Sequence, residues 1–413
     1  MKFVKSFIVL LFAVTVAFLF GFSFRDLENF QAPNASAFRR VLGMRLEPGP
    51  QQAVLDSYDL ISTRYYQPVN PKQLKYAAIS GMIGAVGDPH TVFMAPEARQ
   101  SFDSTTSANF FGIGCELLPV PNGVVLVKVF DKSPAATSGL KPGDVVTEVN
   151  HVKIEGTASD QVVNRIKGPE GSVVNLTILP DGKTPSKIVS VMRERVFRPT
   201  VISHYFKKEE IGYLNIATFS DPTVDQFDTA VASLQQNPLK GLVIDVRGNP
   251  GGLLQSAANL IGRFVENKQV VRMVHADGSA EEAISPSGYL LNLKVPIVIL
   301  IDKDSASAAE IFAGCMHDYG VATLVGTHSY GKNSVQNLFP MTDDAGVKIT
   351  IAHYYLPVTA DIGRKIDANG NYVSGGLKPD VEVEEAKHVM PVAFDPKTDA
   401  QLDAAIKILE SKQ

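Results

Sequence analysis

Cysteine is nearly missing from this chain: 413 residues hold only two, Cys115 and Cys315. Two thiols cannot build a disulfide framework, and neither has neighbours at metal-ligand spacing. Charge of one sign is lacking too, with 39 Lys+Arg against 43 Asp+Glu and a net charge of −4. With no Lys/Arg block beyond the extreme N-terminus, nucleic acid is not expected as a partner. The phosphate-cradling patterns GxxxxGK[ST] and GxGxxG do not occur, and none of the eight histidines stands in HExxH spacing. Nucleotide binding and zinc hydrolysis therefore have no support, and neither cofactor nor metal is expected. A 45% hydrophobic composition with 32 Gly and 25 Pro excludes disordered, collagen-like and coiled-coil classes. At roughly 150 residues per domain, the length suggests two or three domains with a real core.

One long apolar run is present, at the start. Lys2 and Lys5 precede a charge-free stretch of 19 residues, Ser6 to Phe24. About 20 apolar residues span a bilayer, so the run is long for a signal-peptide core and long enough to anchor. Positive charge ahead of it places the N-terminus in the cytoplasm and the rest outside, in a periplasm or cell envelope. Ala35-Ser36-Ala37 lies too far past Phe24 for signal peptidase, so the expectation for residues 1–24 is an uncleaved anchor. Residues 25–50 read as a tether that stops at Glu47-Pro48-Gly49-Pro50.

The hydrophobic period then changes twice. From Gln51 to Met94 apolar residues recur at helical spacing, with a turn at Pro68-Val69-Asn70-Pro71, which predicts a helical module over 51–105. Residues 106–196 read as a small β-rich domain: strands Val124–Phe130, Val145–Val149, Val152–Ile154, Val173–Leu179 and Lys187–Met192, a helix over Ser159–Lys167, and a tight hairpin at Asn150-His151. Residues 197–386 alternate strands (Tyr213–Ile216, Leu242–Val246, Val270–Val274, Val295–Ile301, Ala322–Val325, Lys348–Leu356) with helices (Val224–Gln235, Leu253–Phe264, Ser307–Asp318). Continuous apolar strands between helices predict an α/β core, with chemistry where the strands end. Residues 387–413 read as a C-terminal helical segment.

Three strand-end segments carry possible chemistry. Asp245-Val246-Arg247-Gly248-Asn249-Pro250-Gly251-Gly252 opens a helix with free N–H groups suited to an anion or oxyanion; alone it reads as a tight turn. In Asp304-Ser305-Ala306-Ser307-Ala308-Ala309-Glu310, a serine at a helix N-terminus can act as a nucleophile with the next amide holding negative charge. Ser307-x-x-Glu310 equally fits a capping box. Gly331-Lys332-Asn333-Ser334-Val335-Gln336 follows a strand; a buried, neutral lysine is a general base, and Gln336 lies on its side of a helical turn or strand. Taken alone, Lys332 reads as a solvated surface charge. His317-Asp318 and His328 remain open as triad partners, since a triad's members meet only in the fold.

Together the segments resemble the C-terminal processing peptidases, also called carboxyl-terminal or tail-specific proteases. The resemblance runs through Gly87-Asp88-Pro89-His90-Thr91; Phe111-Gly112-Ile113-Gly114 and Leu140-Lys141-Pro142-Gly143-Asp144; Arg247 to Gly252; Ser305-Ala306-Ser307; and Tyr330-Gly331-Lys332 with Gln336. It implies a crotonase/Clp-protease-like α/β core with an inserted PDZ domain. The family's serine and lysine stand 25 positions apart, which selects Ser307 as nucleophile and Lys332 as base. Gln336 would support the lysine, and the Ala308 N–H with an amide of Gly251 or Gly252 would form the oxyanion hole. Phe111, Gly112, Ile113 and Gly114 would hold a substrate's C-terminal carboxylate. Family members often carry Arg where Lys167 precedes Gly168-Pro169-Glu170-Gly171, and lysine lacks bidentate carboxylate geometry, so peptide-gated activation is not expected here.

The implied function is a serine endopeptidase that takes unstructured protein C-termini by its PDZ domain and cleaves through an acyl-enzyme. The implied partners are those C-termini, the membrane, and a second copy paired through the helical module and Leu402 to Leu409. The rival reading is a catalytically silent PDZ adaptor. Acyl-CoA chemistry, which the same superfold hosts, is disfavoured by the exported location and the PDZ insertion.

Overall fold

The computed structural model describes residues 49–106, 109–130, 132–183, 185–197, 199–367, 369–370, 372–384 and 394–412. The anchor and all but the end of the tether expected from the sequence lie outside these residues. Among the described residues no helix is long and apolar enough to cross a membrane. The described residues divide into two units, with the boundary between Ala78 and Ile79.

Helices α1 (Pro50–Arg64) and α2 (Pro71–Gly84) bury no residue. Gly49 O accepts the N–H groups of Gln52 and Ala53 at the start of α1, with Pro50 at a position that needs no donor. At the start of α2, Asn70 Oδ1 takes the N–H groups of Lys72 and Gln73. The helical character expected over 51–105 is then interrupted by a strand. Val92–Met94 (β1) pairs with a strand of the core, Gly346–Tyr355, before helix α3 (Pro96–Thr106) begins. Three residues are too few to show a strand period, so the sequence pattern hid β1.

Strand β2 (Asn109–Gly112) opens the second region. It contains β3 (Cys115–Val120), β4 (Gly123–Val129), the short helix α4 (Pro134–Thr137), β5 (Val145–Val149), β6 (Val152–Lys153), α5 (Ser159–Ile166), β7 (Val173–Leu179), β8 (Lys187–Met192) and β9 (Glu194–Phe197). The antiparallel sheet runs β3-β4-β5-β7-β8 with β6 beside β5, so β3 is an edge strand. Asn150 and His151 both have positive φ, as a two-residue turn matched to strand twist requires. Leu126, Val146, Val162, Leu176 and Ile178 form this region's own core.

The larger core is built on a six-stranded sheet: β10 (Val201–Phe206), β11 (Ile211–Ile216), β12 (Gly241–Asp245), β15 (Ile297–Ile301), β16 (Ala322–Gly326) and β19 (Val381–Glu382). All neighbours are parallel except β10 with β11. Every residue of β12 and β15 is buried, because both faces are covered. Helices α6 (Thr223–Leu234), α7 (Leu254–Ile261) and α8 (Ala308–Asp318) cover one face, with Phe219, Phe227 and Phe312 in the apolar cluster beneath them. An antiparallel sheet flanks them: β1, β13 (Gln269–His275), β14 (Ala280–Ile284), β17 (Ser334–Pro340) and β18 (Gly346–Tyr355).

Helix α9 (Ala400–Ser411) covers the opposite face of the parallel sheet. Leu402, Ala405, Ile406 and Leu409 pack against Tyr213, Val243, Val298 and Leu300. Burial of each large apolar side chain contributes roughly 1.5–3 kcal/mol. The Leu402 to Leu409 segment, expected to pair with a second copy, thus buries these four side chains within its own chain.

Candidate active site

The parallel strands end in loops that must double back to reach their helices, and side-chain acceptors hold those loops. Asp302, just past β15, takes the N–H groups of Gly248 and Asp304. Ser305 is fully buried; its Oγ lies 2.8 Å from Val246 O and 3.0 Å from Asp302 Oδ1 and accepts the Asp302 N–H. Of the two serines in the segment, Ser305 therefore locks the loop. Ser307 is half-buried and borders an open cleft.

Ser307 caps α8 with φ 55° and ψ −118°, a conformation that strains any residue with a Cβ. The chain reaches it only because the glycine turn after β12 comes up close. Asn249 is fully buried; its O takes the Ala306 N–H, its Nδ2 donates to Ile216 O, and its Oδ1 accepts the Gly251 N–H. A Cβ on Gly251 would lie 2.7 Å from Ala306 O, 2.8 Å from Ser307 Cβ and 2.9 Å from Ala308 N, so only glycine fits there. The Gly251 N–H is occupied by Asn249. Among the described residues, neither the Ala308 N–H nor the Gly252 N–H meets an acceptor.

The lysine loop is tied to the serine by one side chain. Glu310, fully buried on the first turn of α8, accepts Ser329 Oγ–H and the Gly331 N–H on Oε1, both at 2.6 Å. Its Oε2 takes the N–H groups of Lys332 and Ser307, both at 2.9 Å. The two amide nitrogens are thus no more than twice that distance apart. Burial pushes the Glu310 carboxyl upward, against the pull of these four donors. Tyr354 Oη adds a bond to Lys332 O at 2.5 Å. Sequence reasoning saw Glu310 only as half of a capping box; its second role depends on a loop some twenty residues later.

Ser307, Ala308, Gly251, Gly252, Lys332 and Gln336 all line one cleft of about 350 Å³. Burial lowers the Lys332 pKa, Lys348 on the same cleft lowers it further, and Glu310 and Asp88 oppose them. Gln336 is placed on β17, where Nε2 donates to Ser334 Oγ at 2.8 Å and to Thr350 Oγ1 at 3.2 Å. Neither His317, which pairs with Asp380, nor His328 lines this cleft. Among the described residues no three His, Cys, Asp or Glu side chains are placed to share a metal ion.

A second groove lies in the β-rich region, about 580 Å³, walled by residues 112–118, Val127, Phe130, Val163, Ile166, Lys167 and Val196. Gly112, Ile113 and Gly114 line it, and Gly114 has φ 78° with Ser133 too close for any Cβ. Phe111 lines a neighbouring cleft with Ala98, Asn164 and Pro169 instead. β2 stops at Gly112, so strand alternation does not carry from Phe111 to Ile113. Arg193, also unsuspected from sequence, is buried and donates to the carbonyls of Arg165 and Ile166, holding the end of α5.

Fold and site together define an α/β protein with a serine at a helix N-terminus and a half-buried lysine on one cleft, and a separate β domain with an edge-strand groove. Family models match at residues 210–383 (peptidase family S41), 103–179 (PDZ domain) and 37–98 (the N-terminal domain of the activating protease CtpB). The carboxy-terminal processing protease CtpB of Bacillus subtilis (strain 168) is 32% identical over 333 residues, 80% of this chain and 67% of that protein. A CtpA-like serine protease of Staphylococcus aureus (strain MRSA252) is 32% identical over 335 residues, 80% of this chain and 64% of that protein. A crystal structure of an S41 protease from Bacteroides fragilis NCTC 9343 shares the fold at 17% identity and TM-score 0.50, covering 86% of this chain and 97% of that one. The chain belongs to the PDZ-containing C-terminal processing peptidases, a family of serine-type peptidases.

Proposed function

We propose that this chain is an endopeptidase that cleaves with Ser307 and Lys332. The observation that carries this reading is the cleft itself: a strained, half-buried serine with an unbonded amide behind it, and a lysine whose proton affinity is lowered by burial and by Lys348. Ser307 Oγ attacks the scissile carbonyl carbon while its proton passes to neutral Lys332 Nζ. The carbonyl oxygen, now negative, is held by the Ala308 and Gly252 N–H groups. The C–N bond then breaks, the proton moves from Nζ to the leaving amine, and water hydrolyses the acyl-enzyme. Gly251 serves by close approach, its own N–H being bonded to Asn249.

The substrate enters tail first. Its C-terminus adds as a strand to the edge of β3, with its carboxylate at the Gly112-Ile113-Gly114 loop and an apolar side chain among Leu117, Val163 and Ile166. The charge-free run from Ser6 to Phe24 supports an anchored protein working outside the cytoplasm. Ser307→Ala and Lys332→Ala should keep the wild-type circular dichroism spectrum and lose cleavage of an unfolded protein with an apolar C-terminus. Retained cleavage in both overturns the assignment.

A further inference from the structure

Behind Lys332 lies a second cavity, about 890 Å³, whose wall includes Asp88, His90, Thr91, Lys332, Ser334 and Thr350. Lys332 and Ser334 line both cavities, so groups on this side can act on the cleft through the partition. Asp88 and Thr91 come from the Gly87-Asp88-Pro89-His90-Thr91 turn, which is fastened to β18. Asp88 Oδ2 accepts Thr91 Oγ1–H at 2.6 Å and Thr350 Oγ1–H at 2.5 Å; Asp88 Oδ1 takes the His90 N–H; Thr91 Oγ1 accepts the Thr350 N–H at 3.0 Å. Next to this turn the register between β17 and β18 slips between Val335 and Gln336, and the slip brings Gln336 opposite Thr350. Residues directly opposite in an antiparallel pair share a face.

We propose, on the Ser–Lys reading above, that Asp88 is a positioning residue for the peptidase reaction: through Thr350 it dictates which end of the Gln336 amide is presented to Lys332. The logic is one of proton counting. An ionised carboxylate only accepts, and a hydroxyl has one proton to give. Thr350 gives its proton to Asp88, so toward Gln336 it can only accept. Gln336 must then turn Nε2 to Thr350, as observed at 3.2 Å, and its second N–H goes to Ser334 Oγ. The carbonyl Oε1 is the end left to accept from the lysine. Were Thr350 free to donate outward, the amide could reverse and set an NH₂ group against the Lys332 ammonium. Burial opposes ionisation of Asp88, but the donors from Thr350, Thr91 and His90 outweigh it and hold the carboxyl down at about 2. The relay is therefore set at any working pH.

The test uses full-length protein and steady-state cleavage of one unfolded substrate. Thr350→Val removes the hydroxyl and leaves the Asp88 charge; kcat should fall about tenfold with KM unchanged, and Thr350→Ser should restore it. Asp88→Asn should cost a similar factor, and neither change should lower kcat further in a Gln336→Ala background. Wild-type kcat in Thr350→Val, no rescue by serine, or losses that multiply with Gln336→Ala each overturn the relay. If Asp88→Asn does not fold, the two Thr350 variants and the Gln336 cycle decide alone. Ser307→Ala is measured alongside: residual cleavage there removes the Ser–Lys reading and the relay with it, whereas an inactive Ser307→Ala beside a wild-type Thr350→Val removes the relay only.

Discussion

Glu310 is the side chain on which serine loop and lysine loop both hang, and its replacement should separate stability from alignment. Its two oxygens satisfy Ser329 Oγ–H and three backbone N–H groups, those of Ser307, Gly331 and Lys332. In Glu310→Ala all four donors lose their acceptor. Ser329 can reorient. The buried Gly331 amide is stranded in full, at about 1–3 kcal/mol, and the half-buried Ser307 and Lys332 amides in part, so a loss of about 4 kcal/mol is expected. Glu310→Gln keeps one carbonyl oxygen for the Ser307 and Lys332 pair and can offer Nε2 to Ser329 Oγ. It strands only the Gly331 N–H and should cost about 2 kcal/mol. Its cost also depends on pH. The folded carboxyl is pushed above its unfolded value by burial, so the native protein loses this contribution as pH rises from the ordinary glutamate range through the folded pKa. The glutamine variant lacks that step, and its deficit should shrink as pH climbs. Urea unfolding followed by circular dichroism at several pH values measures the stabilities, and single-turnover cleavage measures the alignment. A Glu310→Ala protein within about 1 kcal/mol of wild type, cleaving at the wild-type rate, would refute the role given to this carboxylate.

Three further outcomes are expected. Because Ser307 sits at φ 55°, Ser307→Gly should be about 1 kcal/mol more stable than Ser307→Ala in urea, though both are inactive; equal stability would show that the backbone there is unstrained. Lys348 holds down the Lys332 pKa, so Lys348→Met should raise it and move the acid limb of the kcat profile to higher pH; an unmoved or acid-shifted limb counts against Lys332 as the base. Leu409 is fully buried against the sheet, with a Cβ on Gly241 only 3.1 Å from it, so Leu409→Ala should cost about 2–5 kcal/mol; a change under about 1 kcal/mol would contradict the packing of α9.

Much of the α/β core was legible because buried strands and amphipathic helices leave periodic signatures. β12 and β15 are found within two residues of their expected limits, and α8 begins one residue later than expected. Strands carrying mixed or short patterns were not legible. β1 has three residues, and β17 is half-exposed along most of its length, so neither shows a clean alternation. The C-terminal helix was visible as a helix, but not the sheet face that its apolar side chains cover.

The site divides the same way. Residue types marked the three segments, and the resemblance to the C-terminal processing peptidases selected Ser307, Lys332 and Gln336 within them, since residue type alone left Lys332 a surface charge and the glycine turn a tight turn. Whether Ser305 or Ser307 faces the cleft, which glycine still has a free N–H, where Phe111 points and what Gln336 bonds are questions of which donors and acceptors meet across the fold. Asp88 and Thr350 stand 262 positions apart, and only strand pairing brings them together. The chain thus carried its chemistry in local patterns of one dimension. The hydrogen bonds that orient that chemistry are long-range, and tertiary structure alone decided them.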